Sequence, residues 1–168
     1  MDMLTGYASA HQHPLNIGIH LIFIPVIMLG VFIPLSWVST DVLGFTINLA
    51  HTSAFGLFVF YFSLDWLFSV AFLIYALPVA LLATRIGIEP LAVSGTIAGI
   101  AFFGGYIAQF VGHAVERSIP VILKHPVQAN IAAPFFTVVE IFSILGLRDG
   151  LFKEVRRRID ELRQEQAA

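Results

Sequence analysis

The chain is 168 residues long, 58% hydrophobic and only 12% charged, with a mean hydropathy of +0.86, against roughly 45–50% apolar and about 25% charged in ordinary soluble domains. A soluble fold of this size buries only about 70% of the surface its unfolded chain exposes, so the composition excludes a water-soluble domain and makes the bilayer the main solvent. A net charge of −2 carries no electrostatic footprint for nucleic acid, and the absence of cysteine excludes disulfides, thiolate metal sites and cysteine nucleophiles, so any metal must sit on His, Asp or Glu.

The amino end reads Tyr7-x-x-x-His11-Gln12-His13-Pro14-Leu15-Asn16-x-x-x-His20. Pro14 suits the first turn of a helix, and the spacing of four then puts Asn16 and His20 on one stripe. His11 precedes that helix and can fold back over His20. The apolar run 15–37 that follows is too long, and too lacking in a basic leader, for a signal peptide. Further runs at 43–63, 66–84, 91–112 and 128–147 each approach or exceed the roughly 20 residues a span needs. Asp65 is placed to cap the third run. In the fourth, Gly95 with Gly99 and Gly104 with Gly105 read as small-residue helix packing. That run ends in Gln109-x-x-x-His113-x-x-Glu116-Arg117, with Gln109, His113 and Glu116 on one face. The last run carries Asn130, Pro134 and Glu140, and so crosses fully, re-enters, or lies against the bundle with its polar groups inward.

Short links at 39–41, 63–65 and 85–90 make neighbouring helices antiparallel. The expected fold is an all-α integral membrane bundle of four to six transmembrane or re-entrant helices. Residues 1–147 form the membrane-embedded bundle, and 148–168 form a charged tail helix whose Arg148, Lys153, Arg156, Arg157 and Arg158 keep it cytoplasmic.

Parity then places the chemistry. The start of the first span and the end of the fourth lie at the same membrane face, so His11, His13 and His113 gather there, with His20 about a turn and a half inside. Imidazole and carboxylate from two helices can converge at that face. Neutral imidazoles with a carboxylate and open positions suit Fe(II), whereas a closed tetrahedral site suits structural zinc. On the residues alone, a metal site built on His11, His20, His113 and Glu116 stands beside a plainer reading in which these are interfacial hydrogen-bonding groups. For His51 and His125 the plainer reading is preferred. Glu140 is costly in hydrocarbon and is expected to face inward, in a functional role or in a helix-to-helix hydrogen bond.

The motif Tyr7-x-x-x-His11-x-x-Pro14-x-Asn16-x-x-x-His20 with Pro25, the Tyr61-x-x-x-Asp65 step, and Gln109-Phe110-x-Gly112-His113-x-x-Glu116-x-x-x-Pro120 followed by Ala133-Pro134-Phe135-Phe136 and Glu140 resemble the membrane family of iron-dependent 2-hydroxy fatty acid dioxygenases. The resemblance covers nearly the whole chain. It implies Fe(II) as cofactor, a long-chain 2-hydroxy fatty acid and O2 as substrates, and a fatty acid one carbon shorter plus CO2 as products. His11, His20, His113 and Glu116 would be the metal and catalytic set, with Asn16, Gln109, Arg117 and Glu140 toward the substrate. It also implies a membrane setting, the inner membrane in a bacterium or the endoplasmic reticulum in a eukaryote, with membrane lipid as neighbour and a homo-oligomer possible. Loss of four electrons from the hydroxy acid matches the reduction of one O2, which agrees with a chain lacking any nucleotide or flavin fingerprint. Rival readings are a small metal-ion or proton transporter, a non-catalytic scaffold, and a diiron desaturase, the last lacking its histidine boxes.

Overall fold

The computed structural model of the chain describes residues 13–117, 120–123, 126–154, 157 and 161. The first helix, α1 (Pro14–Ser36), begins where expected. His13 is its N-cap in extended backbone and accepts the Leu15 N–H on its own Nδ1 at 3.2 Å, while Pro14 fills the first helical position, which needs no donor.

After α1 the chain departs from the expected short link. Ser39–Val42 (β1) pairs antiparallel with Phe45–Asn48 (β2), in the register Ser39 to Asn48 and Val42 to Phe45. Leu43 and Gly44 turn the hairpin with φ of 52° and 83°, and a two-residue hairpin turn with both central residues left-handed matches the twist of the strands. The β-branched Thr40, Val42, Thr46 and Ile47 suit the strands, and Thr46 donates to Asp41 at 2.7 Å. The hairpin takes the first residues of the second apolar run. What remains is α2 (Leu49–Phe62), capped by Asn48 and only 14 residues long, about 21 Å at the helical rise and short of the roughly 30 Å hydrocarbon core.

Helix α3 (Trp66–Gly87) starts on Asp65, whose Oδ1 accepts the N–H groups of Leu67 and Phe68 at 3.0 and 3.2 Å, as its position before the run predicts. It is followed by α4 (Leu91–Glu116), a 3-10 turn (Val121–Leu123) and α5 (Pro126–Ile144). Helices α1, α3, α4 and α5 are long and apolar enough to cross a membrane. The expected all-α membrane bundle is therefore the fold, with one small hairpin added.

Helix α1 is the centre of the bundle. It runs antiparallel to α4 and close against it, because small residues remove the side chains that would hold the two apart. A β-carbon on Gly30 would lie 2.6 Å from the backbone nitrogen of Phe102, one on Gly105 would lie 2.4 Å from Ile27, and one on Gly112 would lie 2.4 Å from Asn16 Oδ1. Gly99 and Gly104, expected to serve the same packing, face open space, and Gly95 meets only the edge of Trp37 at 3.9 Å. On its other side α1 runs parallel to α3. Tyr75 donates to Met28 Sδ at 2.6 Å, and Ser36 to the Ala83 carbonyl at 3.4 Å, over a column of buried alanines, Ala76, Ala80 and Ala83.

The fifth apolar run resolves toward lying against the bundle. Near its start, Asn130 accepts from the Tyr106 hydroxyl and the Ile131 carbonyl accepts from Tyr61. Along its length, Phe135 and Phe142 both meet Phe68 edge to face, with ring centroids 5.8 and 5.0 Å apart. Just past its end, Arg148 pairs with Asp65 at 2.5 Å and sets its guanidinium 4.8 Å above the Phe68 ring. Asp65 opens α3, and Tyr61 lies in the last turn of α2, at the end of the bundle where α4 closes, so Ile131 and Arg148 are both fastened toward that end. Leu151 and Phe152, in a helical stretch at 149–154, continue onto the core.

Candidate functional site

The antiparallel seam of α1 and α4 carries four buried polar side chains: Asn16, His20, Gln109 and His113, none more than 8% exposed. Two turns of α1 and two of α4 supply them, at the end of the bundle that parity selects. The rings of His20 and His113 meet edge to face with centroids 5.1 Å apart and planes at 88°. His20 Nδ1 lies 2.9 Å from the carbonyl oxygen of Asn16. A carbonyl can only accept, so Nδ1 carries the proton and Nε2 the lone pair, the arrangement by which a metal-binding imidazole is commonly oriented.

Glu116 closes the seam from the last turn of α4. Its Oε1 accepts the backbone N–H of His13 at 3.1 Å, and its Oε2 accepts from the Asn16 side-chain amide. Local sequence explains the placement. The first turn of α1 contains no acidic residue of its own, yet a helix start presents unsatisfied N–H groups and the positive end of its dipole. A carboxylate from the neighbouring helix meets that need. Arg117 then ends α4 in left-handed backbone, φ 55° and ψ 32°, with its side chain exposed.

The remaining expected site residues fall as follows. His11 lies outside the described residues, as does His125. Glu140 is half-buried on α5 and forms no hydrogen bond or ion pair with a described residue. His51 sits at the opposite end of the bundle, its Nε2 3.4 Å from Thr84 Oγ1 beside the α2 cap, which matches the plain reading given to it. Among the described residues no three of His, Asp and Glu collect closely enough to hold a metal ion. Two imidazoles do come together, and two buried polar atoms beside them, Asn16 Oδ1 and Gln109 Nε2, have no hydrogen-bond partner among the described residues. Buried donors and acceptors are seldom left so without a functional reason. A buried nitrogen pair with an orphaned amide alongside fits part of a nitrogen and oxygen donor set, to which His11 is the expected addition. The spacing in the sequence did not reveal that Glu116 serves the start of α1. The usable signal was an acidic residue placed by parity next to a helix start lacking one.

A polytopic helical membrane protein with a buried imidazole pair where its first and fourth helices meet is the class defined by fold and site. Residues 1–144 match the family model described as 2-hydroxy-palmitic acid dioxygenase Mpo1-like, and the chain belongs to this family. It is similar to the 2-hydroxy-palmitic acid dioxygenase MPO1 of Saccharomyces cerevisiae, 28% identical over 146 residues that cover 86% of this chain and 80% of the yeast protein. No solved structure matches the chain.

Proposed function

We propose that the protein is an iron-dependent dioxygenase that converts a long-chain 2-hydroxy fatty acid and O2 into the fatty acid one carbon shorter, CO2 and water. The atoms balance with no further reductant. Membership of the family and the name of the yeast relative support the reaction class, and the buried His20–His113 pair is the observation in this chain that carries it. Fe(II) would be held by His20 and His113 together with His11, with Glu116 joining the set or orienting it. When bound, the metal supplies open positions at which the hydroxy acid and O2 can meet.

The chain's own residues have distinct tasks in this reading. Asn16 fixes the tautomer of His20 through its carbonyl. Gln109 Nε2, buried and unpartnered among the described residues, donates to a substrate oxygen, and Glu140, half-buried on α5, is assigned to the substrate from its cost in hydrocarbon. Arg117, at the membrane edge, attracts the carboxylate. The acyl chain stays among the apolar helices and α5 helps to keep water from the imidazoles. Transport is less well supported, since the buried imidazoles and the carboxylate of the α1–α4 seam collect at one end of it and do not run through the bundle. The reading is tested by metal analysis of anaerobically purified protein, followed by oxygen uptake and product analysis with long-chain 2-hydroxy acids. Stoichiometric iron and a shortened acid are expected.

A further inference from the structure

We propose that Glu116 is a positioning residue, acting through Asn16 to hold His20 against His113, and does not itself ligate the metal; the inference rests on the metal reading above. The carboxylate is directed across the seam at the start of α1, with Oε1 on the His13 N–H and Oε2 on the Asn16 amide. Asn16 is fully buried and is fixed on three sides. Its amide donates to Glu116, its Oδ1 packs against Gly112, 2.4 Å from where a β-carbon would stand, and its carbonyl accepts from His20 Nδ1. His113 lies one turn before Glu116 on the same face of α4. The path from Glu116 to Asn16, His20 and His113 therefore leaves α4, passes through α1 and returns.

That closure answers a mechanical problem. Two imidazoles contributed by different helices bind one ion only if slide and rotation between the helices are fixed to within roughly 0.5 Å and 10–20°. Deeper in the seam, Gly30 and Gly105 meet backbone and the apolar side chain of Ile27. Such contacts permit close approach but have little directional preference. The Glu116 bracket supplies direction where the rings meet, 5.1 Å apart.

The test titrates Fe(II) and Co(II) into detergent-solubilised wild type, E116Q, N16D and the double variant N16D/E116Q, and records the Co(II) absorption spectrum at saturation. E116Q retains size but has a single acceptor oxygen, so it can accept from the His13 N–H or from the Asn16 amide and not from both, and it turns an amide donor toward the other. N16D sets two carboxylates face to face. Each single variant is expected to weaken metal binding about 10–100-fold, the usual effect of losing a group that orients a ligand, with the wild-type Co(II) spectrum recovered at saturation. The double variant, in which amide and carboxylate exchange places, returns to within about threefold of wild type. Either single variant suffices for the comparison if the other does not fold. A changed spectrum at saturation makes Glu116 a ligand and overturns the proposal. So does undiminished affinity in E116Q, or a double variant as weak as the singles. Wild type that binds neither ion overturns the metal reading and this inference with it, whereas the former outcomes leave the metal reading standing.

Discussion

Gly112 has no side chain because Asn16 Oδ1 stands 2.4 Å from where its β-carbon would be, and neither group has room to yield, Asn16 being wholly buried. Gly112→Ala is therefore expected to destabilise the protein by about 1–3 kcal/mol, the range for overpacking a close contact, and to weaken metal binding by parting the seam. Gly104→Ala, with nothing within 4 Å, should be neutral or slightly stabilising through the unfolded state. Thermal unfolding in detergent compares the two, and equal effects would contradict the account. Gln109 makes the opposite kind of prediction. Its Nε2 is buried without a partner, and such a group costs roughly 1–3 kcal/mol of stability. Gln109→Leu should leave stability unchanged or raised while lowering affinity for the hydroxy acid. A strong loss of stability would mean that the amide has a structural partner. Spacing and parity made the His20–His113 meeting legible in the sequence, since both depend only on helix geometry. The orientation of Glu116 toward α1 was not, because it depends on which end of a neighbouring helix lacks an acid.

At the scale of elements, the starts of α1 and α3 were legible because Pro14 and Asp65 act locally. The hairpin was not. Residues 43–48 continue an apolar run, and Leu43-Gly44 is a weak turn signal whose Leu takes a left-handed backbone at φ 52° against the steric preference of any side chain. The course of α5 was open for a different reason: length and hydropathy permit a crossing, and only the aromatic and ionic contacts decide. Arg148 holds its end through Asp65 and the face of Phe68. Both charged groups are partly exposed, so Arg148→Ala should cost only about 1–2 kcal/mol globally. It should nonetheless raise hydrogen exchange across 140–148 well above that of α1. Exchange that rises equally in both helices would contradict the view of Arg148 as a local fastening.

At the scale of the whole molecule, the path of α5 sets the topology. Because α5 returns to the end of the bundle that holds the site, Arg148 and the helical stretch after it lie at the same face as His13 and Glu116. By their charge, Arg148, Arg156, Arg157 and Arg158 are expected to keep that face cytoplasmic. The chain has no cysteine, so single cysteines report sidedness without background. His13→Cys and Asp149→Cys should react with a membrane-impermeant maleimide from the cytoplasmic side and Leu43→Cys from the opposite side. Labelling of Asp149→Cys together with Leu43→Cys would mean that α5 crosses.

In the proposed function an imidazole pair between α1 and α4 holds the iron of a lipid dioxygenase, and His113 bears on it most directly. One imidazole near the membrane face contributes little to apolar helix packing, so His113→Ala should still insert and fold. Wild type and His113→Ala, purified anaerobically in detergent, are compared for iron content, oxygen uptake with a long-chain 2-hydroxy acid, and shortened acid formed. Iron, oxygen uptake and product should be present together in wild type and lost together in the variant. Folded, iron-replete wild type that forms no shortened acid at any chain length, or a variant that keeps both iron and turnover, would contradict it.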